Sequence, residues 1–179
     1  MAAIDAVQLT ELWGLADAAN TADAKGAALE EIICFLLCHI PGVGHPVRNQ
    51  INKFGTEELD VLLWNAGAQD GLHFMGTTIL VECKNWSKPV DGQEVVYFAY
   101  RLWQRRATDG ILVAANGITG HPGHLDHAHF EIGNALATLG VRILVLRRTE
   151  IELLHHSDEL VDLLRQKRME LDATGTTLG

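Results

Sequence analysis

Hydrophobic and polar residues follow one another along the chain with a spacing that changes from helical to strand-like and back. Apolar residues recur every three or four positions over residues 5–19 and 24–39, which predicts two amphipathic helices. Alternating or compact apolar segments then predict strands, and further helical periods separate the later ones. The predicted strands cover 47–54 (an edge strand), 59–64, 77–84, 110–115 and 141–146, and the later helices cover 93–106, 125–139 and 153–170.

The order of these elements indicates an α/β fold. Strands joined by a short turn are expected to pair antiparallel, whereas a strand–helix–strand sequence produces a parallel pair. We therefore predict a central mixed β-sheet with helices on both faces, a three-layer α/β/α sandwich. We expect one domain over residues 1–179, with an N-terminal helical extension (1–22), a core (24–147) and a C-terminal helix and tail (148–179).

The charge of the chain is unevenly distributed. A net charge of −9 argues against a nucleic-acid partner. Residues 84–106, however, contain five basic residues and two acidic ones. We therefore consider Lys88, Arg101 and Arg105 as candidate contacts for a nucleic-acid backbone.

Composition also bears on the cellular setting. No apolar run approaches the ~20 residues that span a bilayer, and the first residues lack the pattern of a secretory signal. The three cysteines cannot all pair with one another. We expect a soluble cytoplasmic protein without a membrane partner.

Charged residues interrupt two of the predicted strands. Because side chains alternate between the faces of a strand, Glu82 and Lys84 share one face of the strand over 77–84. Asp60 lies on the preceding strand, so a hairpin would bring its carboxylate close to that of Glu82. Two carboxylates, a backbone carbonyl (here that of Cys83) and water form a ligand set for Mg²⁺ or Mn²⁺.

Phosphodiester hydrolysis would explain this combination of residues. A bound metal neutralises the charge that develops on the phosphate and lowers the pKa of a bound water. Lys84 is placed to contact that water and the phosphate, as a point charge or as a proton acceptor. A Glu-x-Lys sequence also arises by chance about once in every couple of proteins. The argument therefore rests on two charges sharing one face of an apolar strand.

Several short segments, in their order and spacing, resemble a known group of enzymes. Residues 25–30 (KGAALE), 59–63 (LDVLL) and 81–86 (VECKNW) are similar to the PD-(D/E)xK restriction-endonuclease-like superfamily, in particular its Mrr-type branch. The segments over 88–98 and 110–113 also match that branch. The likeness extends over about residues 25–147, which is most of the chain.

This resemblance implies an αβββαβ core and Mg²⁺-dependent cleavage of DNA, in restriction or anti-phage defence. It assigns Asp60 and Glu82 as metal ligands and Lys84 as the catalytic lysine. It also implies that Gln93 lies near the site, at the start of the following helix.

The resemblance further implies an acid on the first core helix that assists the metal site. Glu30 and Glu31 are the two candidates. We favour Glu30 because its spacing from Gly26 is the usual spacing in the family.

Two other groups of residues have open interpretations. Four histidines over 121–129 would suit either a zinc site or a polar loop that leads into a helix and faces DNA. Aromatic residues of the segment 93–106 would either stack on bases or cover the faces of their own helix. These aromatic residues are Tyr97, Tyr100 and Trp103.

These observations together predict a Mg²⁺-dependent endodeoxyribonuclease. The alternatives are a nuclease-derived binding or assembly subunit that does not cut, or a nuclease that acts on RNA. We expect the active species to be a homo-oligomer or a complex with a protein partner, because one site cuts one strand. The apolar residues of the C-terminal helix are a candidate contact surface: Leu153, Leu154, Leu160, Val161 and Leu164.

Overall fold

The computed structural model describes residues 2–51, 58–121 and 127–176. Helices and strands occur in the order α-α-β-β-β-α-β-α-β-α-α. The helices are α1 (Ala6–Ala18), α2 (Ala22–Leu37), α3 (Gly92–Gln104), α4 (His127–Leu139), α5 (Arg148–Ile151) and α6 (Ser157–Thr174). The strands are β1 (Val43–Ile51), β2 (Glu58–Asn65), β3 (Thr78–Lys84), β4 (Asp109–Ala114) and β5 (Arg142–Leu146).

The strands form a mixed sheet in the order β1-β2-β3-β4-β5. The pairs β1–β2 and β2–β3 are antiparallel, and β3–β4 and β4–β5 are parallel. The parallel pairs are connected through α3 and α4, as a strand–helix–strand unit requires. This arrangement confirms the predicted mixed sheet, and the segment from α2 to β4 has the αβββαβ order that the family resemblance implies.

Helices cover both faces of the sheet. On one face, α2 packs against β1, β2 and β3, and its Glu30 contacts Arg48 of β1. On the other face, Gly110 of β4 lies beneath α3: a Cβ at Gly110 would come within 2.8 Å of Leu102 and Phe98. The absence of a side chain at this position lets α3 approach the sheet closely. The three-layer α/β/α prediction is therefore confirmed.

The edge strand differs from its prediction. We expected it over 47–54, but β1 begins earlier, at Val43, and the end of the prediction, Phe54, lies outside the described residues. The register between β1 and β2 shifts between Gly44 and Val47. His45 also has a positive φ, of 52°. This irregularity breaks the alternation of polar and apolar residues on which a strand prediction depends.

The C-terminal helix begins later and ends later than predicted. We expected 153–170, but α6 starts at Ser157. The carboxylate of Glu159 accepts hydrogen bonds from the backbone N–H groups of His155 and His156, at 2.6 and 3.1 Å, which fixes the start of the helix. Leu153 therefore lies before α6 and is exposed.

The prediction that the apolar stripe of this helix is a contact surface for a second molecule is wrong. The other four apolar residues of the stripe are buried in the core of their own chain, because α6 packs against the sheet at β5. They cannot form a face that meets a second molecule. They are Leu154, Leu160, Val161 and Leu164.

None of the described helices combines the length and the apolar character needed to cross a bilayer.

Candidate active site

Asp60 and Glu82 meet where the pairing of β2 and β3 ends. The described antiparallel pairs run from Trp64–Thr78 to Val61–Val81, and one further step in the same register places Asp60 opposite Glu82. At that step Asp60 Oδ2 accepts a hydrogen bond of 2.7 Å from the backbone N–H of Cys83. A carboxylate therefore takes the position of a backbone acceptor, and the two acids share one face of the sheet.

The carboxyl group of Asp60 is in an unfavourable environment for its negative charge. Its pKa is raised to about 6, because it is desolvated by burial and lies near the charge of Glu82. The charge of Glu30 adds to this repulsion, whereas the N–H of Cys83 and the charge of Lys84 oppose it. A positive ion beside Asp60 would remove the repulsion.

Two cationic side chains contact the carboxylate of Glu82. Its exposed fraction is only 3%. Glu82 Oε1 lies 3.0 Å from Lys84 Nζ, and Glu82 Oε2 accepts a hydrogen bond of 2.6 Å from Arg101 Nη1. A buried carboxylate without such partners would be strongly destabilising. The two cations therefore compensate the charge of Glu82 at the centre of the cluster.

Lys84 has contacts beyond Glu82. Its Nζ also lies 3.0 Å from Glu94 Oε2 on α3, and 5.1 Å from the centre of the Trp86 ring. Burial lowers the pKa of Lys84, but the charges and hydrogen bonds of Glu82 and Glu94 outweigh burial, so the pKa lies above its ordinary value. The side chain is thus a protonated ammonium held at a fixed place.

The acid on α2 lies at the edge of this cluster. Glu30 is buried and its Oε2 lies 3.2 Å from Arg48 Nη2 of β1. The exposed Glu31 contacts the same guanidinium. Of the two acids, Glu30 is the one whose charge influences the pKa of Asp60.

A comparison with known protein families identifies the catalytic domain to which this chain is similar. Residues 22–129 match the model of the Mrr catalytic domain, described as a restriction endonuclease. The chain belongs to the Mrr-type restriction endonuclease family. It therefore has the catalytic domain of a nuclease, a hydrolase of phosphodiester bonds. None of the curated proteins searched matches the chain.

Four residues of this Mrr-type domain were predicted to contact nucleic acid, and their side chains have different partners in the structure. Arg101 points into the carboxylate cluster, as described above. Arg105, directly after the end of α3, donates to the backbone carbonyl of Arg101 at 3.4 Å. Gln93 donates to the hydroxyl of Tyr97 at 2.9 Å, and Lys88 lies 5.7 Å from the centre of the Trp86 ring. Their contacts with nucleic acid stay predictions.

Three contributors to the cluster were missed in the sequence: Glu94 as a partner of Lys84, Arg101 as a partner of Glu82, and Arg48 as a partner of Glu30. A signal for the first two was available. Glu94 and Arg101 are seven residues apart, so they lie on one side of α3 together with Phe98, which faces the core. Charges beside a core residue on the face of a helix that meets the sheet indicate buried partners.

The histidine segment shows no metal site among the residues that can be described. His129 is buried and its Nδ1 lies 3.1 Å from Thr176 Oγ1, whereas His121 and His127 are exposed. His124 lies outside the described residues. Across the described ranges, no three His, Cys, Asp or Glu side chains are grouped closely enough to hold a metal ion. A cation at Asp60 and Glu82 would therefore also need backbone or water oxygens.

The aromatic residues of α3 point outwards. Tyr97, Tyr100 and Trp103 are each about half exposed, and the rings of Tyr100 and Trp103 stack with their centres 5.7 Å apart. They do not form part of the core. A role in stacking on bases stays a prediction.

The raised pKa of Asp60 predicts a pH-dependent gain in stability when its charge is removed. The folded chain binds the Asp60 proton more tightly than the unfolded chain, so the ionised group destabilises the fold as pH rises from 3.8 through about 6. Asp60→Asn keeps an oxygen that accepts from Cys83. We expect the metal-free variant to be more stable by ~1–2 kcal/mol at pH 7.5. Urea unfolding in a chelator, at pH 7.5 and pH 5, measures the difference, which should shrink at pH 5.

Asp70→Asn is the matched control, since Asp70 is exposed. It should change the free energy of unfolding by no more than about 0.5 kcal/mol at either pH. A difference for Asp60→Asn that is the same at both pH values would contradict the electrostatic explanation.

Proposed function

We propose that the chain is a divalent-metal-dependent endonuclease that hydrolyses DNA phosphodiester bonds, with its reaction centre at Asp60, Glu82 and Lys84. The observation that supports this most is the convergence of two carboxylates and one ammonium where β2 and β3 separate. Nothing in the packing of the core requires charges there. Family membership supports phosphodiester hydrolysis as the reaction class, and this convergence supports the proposal that the reaction takes place at these residues.

The residues present fit Mg²⁺ or Mn²⁺. Asp60 and Glu82 offer hard oxygen donors, and the Cys83 carbonyl lies on the backbone between Glu82 and Lys84. Burial raises the pKa of Asp60 most and the negative charge of Glu82 raises it further, and a bound cation would offset this second contribution. When bound, such a cation would act as a Lewis acid and make a water molecule more acidic.

Lys84 is the group of this chain that would act on the substrate. Its contacts with Glu82 and Glu94 hold the ammonium at a fixed distance from the acids. In its protonated form it donates hydrogen bonds to a phosphate oxygen and stabilises the charge that accumulates there. The raised pKa favours this positioning role over that of a proton acceptor.

Glu30 would support the cluster from α2. Its carboxylate contributes negative potential at Asp60 while its own charge is partly balanced by Arg48. We therefore assign it an indirect role, in which it strengthens the attraction of the site for a cation.

DNA is the proposed substrate, and restriction or anti-phage defence the proposed setting. The basic residues of 84–106 follow β3 directly, so the positive charge of an otherwise acidic chain is concentrated next to the proposed centre. All three cysteines are free, which fits a reducing, cytoplasmic environment. An RNA substrate, or binding without cleavage, would be distinguished by the experiments below.

The first experiment is incubation of supercoiled plasmid with the chain and one divalent cation at a time. We expect cleavage with Mg²⁺ or Mn²⁺ and little turnover with Ca²⁺, because the ligands are hard oxygens. Agarose gels report the nicked and linear products. Cleavage that persists after exhaustive chelation would mean that the role of the carboxylates is misassigned. Cleavage of RNA but not of DNA would show that the substrate is RNA.

Lys84→Ala and Asp60→Ala should each lower the cleavage rate at least about 100-fold, because each removes a group that acts on the substrate or holds the cation. Arg165→Ala is the control: Arg165 pairs with Asp162 on the surface of α6. Circular dichroism checks that the variants are folded. Full Mg²⁺-dependent cleavage by Lys84→Ala would refute the assignment of this lysine.

We also propose that the active species is a homo-oligomer or a complex with a partner. One phosphodiester site per chain cuts one strand, so a double-strand break requires two sites or two visits. Light scattering at micromolar concentration, with and without a DNA duplex, should therefore give a mass above that of one chain under cleaving conditions. A monomer that makes double-strand breaks in a single encounter would disprove this.

A further inference from the structure

Two positively charged side chains contact the carboxylate of Glu82 and would compete with a metal cation for it. Lys84 occupies one carboxylate oxygen at 3.0 Å and Arg101 occupies the other at 2.6 Å. Glu82 has an exposed fraction of only 3%, so a cation cannot approach it freely from solvent. Both positive groups repel an approaching cation, so a metal ion that binds Glu82 is favoured when one of the two contacts opens.

Lys84 is the more firmly held of the two. Its ammonium contacts two carboxylates, those of Glu82 and Glu94, and lies over Trp86. For the guanidinium of Arg101, the described residues supply one carboxylate, that of Glu82. Arg101 also reaches the site from a helix, on a long side chain that adopts other rotamers readily. The contact between Arg101 and Glu82 is therefore the one that breaks more easily.

We propose that Arg101 is an exchangeable counter-ion: it neutralises Glu82 while the site holds no metal, and it is transferred to a substrate phosphate when a divalent cation takes its place. This inference rests on the proposed function, since it assumes that Glu82 is a metal ligand. It adds a positioning residue whose position depends on both the cation and the substrate.

The chemistry of arginine suits both partners. A guanidinium forms strong charge-assisted hydrogen bonds with carboxylate and with phosphate, and it remains charged in both settings. In the absence of substrate, the contact with Glu82 should weaken cation binding. A phosphate that attracts Arg101 removes this competition, so substrate and cation should each strengthen the binding of the other.

The direct test is the affinity of the full chain for Ca²⁺, measured by isothermal titration calorimetry without DNA. Arg101→Gln removes the competing charge, and we expect its dissociation constant for Ca²⁺ to fall by about tenfold, the scale of one charge-assisted hydrogen bond. Arg101→Lys keeps the charge but has a shorter reach and no guanidinium, so its dissociation constant should lie between those of Arg101→Gln and the parent chain. If Arg101→Gln does not fold without metal, Arg101→Met replaces it.

Arg106→Gln is the control. It removes one positive charge just beyond the end of α3, where the side chain is exposed. Its affinity for Ca²⁺ should equal that of the parent chain. An equal gain for Arg106→Gln would mean that net charge, and not the contact with Glu82, controls cation binding, and it would overturn the proposal.

The second readout is the coupling between cation and substrate. A short DNA duplex at saturating concentration should lower the Ca²⁺ dissociation constant of the parent chain by about tenfold. The gain should be much smaller for Arg101→Gln, in which no guanidinium has to leave Glu82. The proposal requires both results, and a coupling that is the same in the two proteins overturns it.

Glu82→Gln separates this inference from the proposed function. If Glu82→Gln loses Ca²⁺ binding while Arg101→Gln binds like the parent chain, the metal site stands and the counter-ion proposal fails. If Glu82→Gln binds Ca²⁺ as well as the parent chain does, Glu82 is not a ligand, and both fail.

Discussion

The burial of two neighbouring carboxylates, those of Asp60 and Glu82, is the constraint to which the rest of the charged cluster responds. Both acids lie on one face at the end of the β2–β3 pairing, and burial makes their charges costly. The surrounding elements supply compensation: β3 provides Lys84 and the Cys83 N–H, and α3 provides Arg101. The strand and the helix that compensate the two acids are both anchored in the shared hydrophobic core, so the cluster is held in place by their packing.

Most of the fold could be predicted from the sequence because its elements have regular spacing. The strands β3, β4 and β5 are compact, largely apolar runs, and α1, α2 and α3 have clear apolar stripes, so their predicted bounds lie within a few residues of those observed. β1 could not be placed as well, since its bulge and the positive φ at His45 and Asn49 interrupt the alternation. The start of α6 depends on the carboxylate of Glu159, which apolar spacing does not reveal.

The candidate site could be predicted only as far as local geometry extends. Alternation along a strand puts Glu82 and Lys84 on one face, and hairpin pairing brings Asp60 to them. The partners on α3 and β1 depend on how whole elements pack. The position of Glu94 and Arg101 beside Phe98 on α3 indicated buried partners, but it did not identify which acid or base each would meet. Arg48, on the irregular edge strand, gave no such signal.

Gly110 links the packing of the domain to the electrostatics of its cluster. The missing side chain leaves room for the ends of Leu102 and Phe98, which occupy the space that a Cβ would need. Glu94 and Arg101 project from the same helix to Lys84 and Glu82. A methyl group at Gly110 would force the two core side chains to move. The core packing at Gly110 and the contacts of the charged cluster therefore share one helix, α3.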